Sequence, residues 1–94
     1  MEEHTIKVAI ADRIYPQKVS EDREAAIRKA ARNVDEVIRA FTVQYREVSQ
    51  LDIATIVALN AEVECIRLKE EIKRMESQFA GISADLQKYV DSLK

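Results

Sequence analysis

Residues 51–93 read LDIATIVALNAEVECIRLKEEIKRMESQFAGISADLQKYVDSL, and this stretch decides the fold. Steps that alternate between three and four residues, starting at Leu51, reach only apolar side chains and the amphipathic Tyr89. The positions are Leu51, Ala54, Ala58, Ala61, Cys65, Leu68, Ile72, Met75, Phe79, Ile82, Leu86, Tyr89 and Leu93. A 3-4 alternation sustained over about six heptads predicts one long helix that forms a left-handed coiled coil.

The first part of this helix carries a second apolar stripe, at Ile56, Leu59, Val63 and Ile66. A simple two-stranded coil leaves such positions in water, so we predict that the N-terminal part of the chain packs on them. From Arg67 onward only one face is apolar, and an isolated helix could not bury it. We therefore predict an oligomer. The oligomerisation seam comprises Cys65, Leu68, Ile72, Met75, Phe79, Ile82, Leu86, Tyr89 and Leu93.

The N-terminal part predicts a β-hairpin. Residues 6–10 and 14–19 are two short runs rich in β-forming side chains, and Asp12 between them tolerates the left-handed backbone of a turn. Pro16 cannot donate a ladder hydrogen bond, which makes the second run an edge strand. A hairpin of this size is only marginally stable alone and must pack on another element.

A shorter helix follows the hairpin. Ser20 has the character of an N-cap, and acidic residues fill the first turn after it. The apolar face of this helix 1 consists of Ile27, Ala30, Ala31, Val34, Ile38, Phe41 and Tyr45. Ser49, three residues before Asp52, resembles a capping box at the start of the long helix. The predicted fold class is α+β. Residues 1–48 form a small head, and residues 49–94 form one long helix. The first part of this helix is the stem of a dimer, and the rest is a coiled-coil tail.

The composition limits the classes of partner and of site that we expect for this protein. Of the 94 residues, 34% are charged and 47% hydrophobic, with one Gly, one Pro, one Cys and a net charge of −2. This balance gives no reason to expect nucleic acid or a membrane as partner, and no signal peptide or membrane span is expected. No catalytic, cofactor-binding or metal-binding constellation is expected either. We interpret His4 as part of a frayed terminus and Cys65 as a buried seam residue.

Helix 1 carries a ridge of arginines. At about 100° per residue, one exposed side receives Arg28, Arg32, Arg39 and Arg46, with Asp35 among them. Two interpretations remain open. The ridge is either a solvated face with charge pairs along the helix, or a docking surface for an acidic protein partner, since the planar guanidinium suits carboxylates.

The order of these elements resembles the ZapA family of bacterial cell-division proteins. Residues 6–15, IKVAIADRIY, are similar to the strand-turn-strand opening of that family, and Val57-Ala58-Leu59-Asn60 is similar to the start of its long helix. The similarity in arrangement extends over roughly residues 5–94. One departure is Asp12, where the family usually has Gly before the turn arginine.

The resemblance implies a non-enzymatic cytoplasmic protein that binds the tubulin-like GTPase FtsZ. It implies cross-linking of FtsZ protofilaments into bundles, which promotes assembly of the Z-ring and septation at midcell. It also implies a homodimer built from the heads and the first part of the long helix, and a homotetramer joined through the tails. Arg13 and Arg46 match basic positions of the family's FtsZ-binding surface, whereas Arg28, Arg32 and Arg39 extend that surface by helix geometry alone. The alternative is a coiled-coil oligomerisation or adaptor protein whose head binds another partner.

Overall fold

A computed structural model describes residues 2–93 of the chain; Met1 and Lys94, the ends of the two predicted segments, lie outside the described residues. The elements follow in the order β1 (Glu3–Ile10), β2 (Arg13–Ser20), α1 (Glu21–Gln44) and α2 (Gln50–Ser92). A hairpin followed by a short and a long helix confirms the predicted α+β class. The 43-residue length of α2 confirms the long helix inferred from the heptad pattern.

The two strands form an antiparallel hairpin in which Ile10 pairs with Arg13 and Glu3 with Ser20. Both strands are longer than the sequence pattern predicted. Pairs along such a ladder alternate between hydrogen-bonded and non-hydrogen-bonded positions, starting from the hydrogen-bonded pair beside a two-residue turn. By this alternation Pro16, opposite Lys7, occupies a non-hydrogen-bonded position. The proline therefore interrupts no ladder hydrogen bond.

The hairpin turn consists of Ala11 and Asp12, which both have positive φ, 52° and 64°. Two positive φ angles are the geometry of the tight turns that match the twist of paired strands. Asp12 fulfils its predicted role. Ala11 was not expected here, because an L-residue with a Cβ atom pays about 1–2 kcal/mol in the left-handed region. Contacts from outside the turn must offset this strain.

The hydrophobic core lies between the hairpin and α1. Its buried side chains are Ile6, Val8, Val19 and Ala31, and Ile10 and Ile27 pack against them. Helix α1 lies mainly against β1 rather than β2. Tyr15, directly opposite Val8 in the ladder, consequently remains 42% exposed.

The two helices begin differently. Ser20 is the last residue of β2 and the residue before α1, but its hydroxyl makes no capping hydrogen bond. The predicted side-chain cap is therefore wrong, although the first turn is acidic as expected. At the second helix, the Ser49 hydroxyl oxygen accepts a hydrogen bond of 3.1 Å from the backbone N–H of Asp52. This contact confirms the cap predicted there.

The chain divides into two compact units, Met1–Ala58 and Leu59–Lys94. In the first unit, α2 contributes Ile53, which is 2% exposed. The second apolar stripe of α2 remains open within one chain, with exposures between 42% and 61% for Ile56, Leu59, Val63 and Ile66. Within the first unit, the predicted packing of the hairpin and α1 on the stripe is not found at Ile56, which is 42% exposed. Ile53 takes the buried position instead.

Candidate partner-binding surface and assembly seam

The five arginines predicted to bind a partner occupy three elements of the first unit. Arg13 is the first residue of β2, and Arg46 lies in the link between α1 and α2. The other three, Arg28, Arg32 and Arg39, lie along α1. The structure distributes them over different surroundings, and it pairs two of them within the chain.

The hairpin turn, the end of α1 and the start of α2 meet at one end of the first unit. A cavity of about 290 Å³ is lined by Ala11, Asp12, Ile38, Arg39, Thr42, Val43 and Gln50. A neighbouring cavity of about 360 Å³ is lined by Ile10, Ala11, Arg13, Tyr15, Ile38, Gln50, Leu51 and Ala54. We call this region the turn end. It contains Arg13, and Arg46 lies in the link that joins its two helical walls.

Arg28 is paired at the opposite end of the hairpin. Its Nε donates a 2.9 Å hydrogen bond to Glu24 Oε2, while His4 Nε2 lies 2.6 Å from the other oxygen of the same carboxylate. The hydrogen bond from Arg28, and then that from His4, lower the pKa of Glu24. His4 belongs to β1 and contacts α1, so its interpretation as a frayed terminal residue is wrong.

Arg39 is paired twice. Its Nε donates to Asp35 Oδ2 and its Nη2 donates to Asp12 Oδ1, both at 2.9 Å. The remaining oxygen of Asp35 accepts the backbone N–H of Ala11 at 2.8 Å. The hydrogen bonds from Arg39 and from Ala11 lower the pKa of Asp35, and the hydrogen bonds to Asp35 and Asp12 raise the pKa of Arg39. Two carboxylates therefore neutralise this guanidinium locally.

Arg13, Arg32 and Arg46 have no side-chain hydrogen bond or ion pair with any other residue between 2 and 93. All three are exposed. The structure thus separates the predicted ridge into paired arginines (Arg28 and Arg39) and available ones. An available guanidinium can offer its full set of donors to a carboxylate of a partner.

The predicted oligomerisation seam is exposed in a single chain. Eight of its members, from Leu68 to Leu93, are between 44% and 70% exposed. Cys65, expected to be buried, is exposed and unbonded here as a free thiol. Exposure of apolar surface to water costs about 25 cal/mol per Å², and exposed apolar rows of this kind are typical of interaction surfaces.

Sequence reasoning missed the tertiary contacts of this surface. The spacing of Asp35 and Arg39, four residues apart, identifies their ion pair in a helix. Nothing in the sequence placed the backbone of Ala11 against Asp35, because that contact joins residues 24 apart in the chain. The pairing of His4 with Glu24 was missed for the same reason.

The described part of the chain contains no group of three or more His, Cys, Asp or Glu side chains that could hold a metal ion. Across residues 2–93, neither helix has an apolar stretch long enough to cross a lipid bilayer.

Comparison with known proteins is consistent with this architecture. None of the curated proteins matches the chain. A solved structure described as an unknown conserved bacterial protein from Pseudomonas aeruginosa PAO1 is similar, with a TM-score of 0.62 and 25% sequence identity. The similarity covers 93% of this chain and 96% of that one. The family model described as cell division protein ZapA matches residues 6–94. The chain therefore belongs to the ZapA family of cell-division proteins.

Proposed function

We propose that this protein is a non-enzymatic cell-division factor that binds FtsZ and cross-links its protofilaments into bundles. In this role it promotes assembly of the Z-ring and formation of the septum. The observation that carries the proposal is the match to the ZapA family over residues 6–94, nearly the full chain. That family is a non-enzymatic one associated with FtsZ. The protein would act in the cytoplasm, at the division septum at midcell.

The binding surface is centred on the turn end. Arg13 and Arg46 are exposed and free of ion pairs within the described chain, which leaves them available to acidic groups of FtsZ. Arg32 extends this surface along α1. Arg28 and Arg39 are poorer candidates for direct contact, because a partner's carboxylate would have to displace Glu24 from Arg28, or Asp35 and Asp12 from Arg39.

Cross-linking requires more than one copy of this surface in one particle. We propose that the first part of α2, up to about Ile66, joins two chains into a homodimer with the heads (residues 1–48). The seam from Cys65 to Leu93 then joins dimers into a homotetramer. Support comes from the exposure of both apolar stripes in the single chain. Several weak sites on one particle raise avidity without any new contact.

Co-sedimentation with FtsZ polymers tests the proposal. We expect the native protein to pellet with the filaments and to increase light scattering by bundling them. Arg13→Glu with Arg46→Glu should abolish both signals and leave the oligomer mass unchanged, because neither side chain belongs to the seam. The double variant Arg23→Glu with Lys29→Glu is the matched control, since it changes the net charge equally on exposed positions of α1.

Each outcome decides a different part of the proposal. Native protein that neither pellets with FtsZ nor bundles it would contradict the proposed function. Bundling that survives in the Arg13 and Arg46 variant would contradict the proposed surface. Equal loss in the control variant would mean that net charge, and not the turn end, determines binding.

A further inference from the structure

The hairpin turn holds Ala11 in a conformation that this residue does not favour. Both central positions have positive φ, yet neither is a glycine, and Ala11 lacks a polar side chain that could stabilise a left-handed backbone. Strained conformations of this kind persist where surrounding contacts determine them. The contacts in question come from α1.

Asp35 supplies the first contact. Its Oδ1 accepts the N–H of Ala11 at 2.8 Å, so the carboxylate binds the backbone of the strained residue directly. Only 23% of the Asp35 side chain is exposed, which makes it the least exposed carboxylate among the ion pairs of the described chain. Its other oxygen is held by Arg39 at 2.9 Å.

Arg39 supplies the second contact. Its guanidinium extends from Asp35 to Asp12, the other turn residue, and therefore joins the turn to α1 at a second point. The side chain of Arg39 is 55% exposed, so it resembles a binding residue by exposure alone. Its hydrogen bonds instead point to carboxylates of this chain.

We infer that Asp35 and Arg39 are positioning residues that hold the Ala11–Asp12 turn against α1 and thereby fix Arg13 for contact with an acidic partner. Arg13 follows the turn directly and pairs with Ile10 across it, so any rearrangement of the turn displaces it. The inference rests on the proposed function for the identity of the partner. It assigns Arg39 a role within the protein rather than at the partner's surface.

A rescue experiment separates positioning from contact. The variant Ala11→Asn with Asp12→Gly creates a turn that adopts positive φ at both positions by itself. The effect of Arg39→Ala on the affinity for FtsZ filaments is then measured in the native turn and in this substituted turn, which completes a double-mutant cycle. If Arg39 positions Arg13, its loss in the native turn should weaken binding about five- to tenfold, because only a fraction of molecules keeps the competent turn. In the substituted turn the same change should cost less than about twofold.

Hydrogen exchange gives a readout that does not depend on FtsZ. The backbone amide of Arg13 should exchange faster in Arg39→Ala and in Asp35→Asn than in the native protein. The substituted turn should restore slow exchange. Arg28→Ala, which removes a pair at the other end of the hairpin, is the matched control and should leave the Arg13 amide unchanged.

Several results would overturn the inference. An equal loss of affinity on Arg39→Ala in both turns would identify Arg39 as a direct contact. No loss in either turn, or unchanged exchange at Arg13 in both variants, would show that the turn does not need these residues. If the native protein fails to bind FtsZ, the proposed function fails, and the exchange measurement still decides whether Asp35 and Arg39 hold the turn.

Discussion

The first unit, Met1–Ala58, buries apolar side chains, whereas the second unit, Leu59–Lys94, buries none among its described residues. The buried residues are Ile6, Val8, Val19, Ala31, Ile38 and Ile53. Both units have apolar side chains in regular patterns. The difference is that the hairpin and α1 provide each other with a covering surface, while a helix alone cannot cover its own apolar face.

The polar side-chain contacts of the two units also differ: beside two local pairs along α1, the first unit has contacts between distant residues. In the first unit, His4 with Glu24 and Asp12 with Arg39 join residues that are 20 and 27 positions apart. In the second unit, Arg67 binds Glu64 and Glu71, which lie three and four residues away on the same helix. Contacts of the first kind join one element to another, and contacts of the second kind connect residues of a single helix. In the proposed assembly, other chains cover the apolar face of the second unit.

Charged residues in the seam should have the largest effect on the assembly, because the proposed oligomer is held together by the apolar side chains of this seam. Ile72→Asp with Phe79→Asp places two carboxylates where the proposed assembly buries apolar groups. Loss of burial costs about 1.5–3 kcal/mol per large side chain, and burial of an unpaired charge costs more. We expect the oligomer mass, measured by analytical ultracentrifugation, to fall at least to that of a dimer.

The matched control for the seam is Ser77→Asp with Ala84→Asp. It adds the same charge to α2 at positions outside the 3-4 pattern. This variant should keep the native mass. If the seam variant also keeps the native mass, the second unit is covered in some other way and the proposed assembly is wrong.

Truncation of a buried side chain in the first unit should have the next largest effect, which is on the free energy of unfolding. Ile53→Ala truncates the least exposed apolar side chain among residues 2–93, at 2% exposure, and should lower the free energy of unfolding by about 2–5 kcal/mol. Ile14→Ala, at a position 67% exposed, should cost less than about 1 kcal/mol. Urea denaturation at one fixed protein concentration measures both. Equal costs for the two variants would mean that α2 does not contribute to the core of the first unit.

The sequence predicted the elements because each one has a local pattern or composition of its own. Runs rich in β-forming side chains identified β1 and β2, and the 3-4 pattern identified both helices, including the long α2. Local capping was only partly predictable. The Ser49 hydroxyl caps α2, whereas Ser20 ends β2 directly before α1 and makes no such hydrogen bond.

Contacts between elements could not be predicted in the same way. A period shows which face of a helix is apolar, but not what covers that face. The second stripe of α2 was therefore assigned to the head, although Ile53 is the side chain that is buried. The arginine ridge was similarly predicted as one surface, whereas Asp12 of the hairpin turn, 27 positions away, binds Arg39. Such pairings become visible only when the fold brings distant residues together.

Asp35 should make the stability of the fold depend on acidic pH, and this should be the smallest of the predicted effects, since ion pairs near the surface contribute little to stability. The hydrogen bonds from Arg39 and Ala11 lower the pKa of Asp35 in the folded protein. A carboxyl group with a lower pKa in the folded state stabilises the fold while ionised, so this contribution is complete at neutral pH and is lost as the pH falls below about 4. The urea midpoint should therefore fall less in Asp35→Asn than in the native protein between about pH 7 and about pH 3.

Glu64→Gln is the comparison in the second unit: Arg67 also lowers the pKa of Glu64, but that pair joins no second element. A native protein and an Asp35→Asn variant with identical pH profiles would show that the contact between turn and helix adds no stability to the first unit.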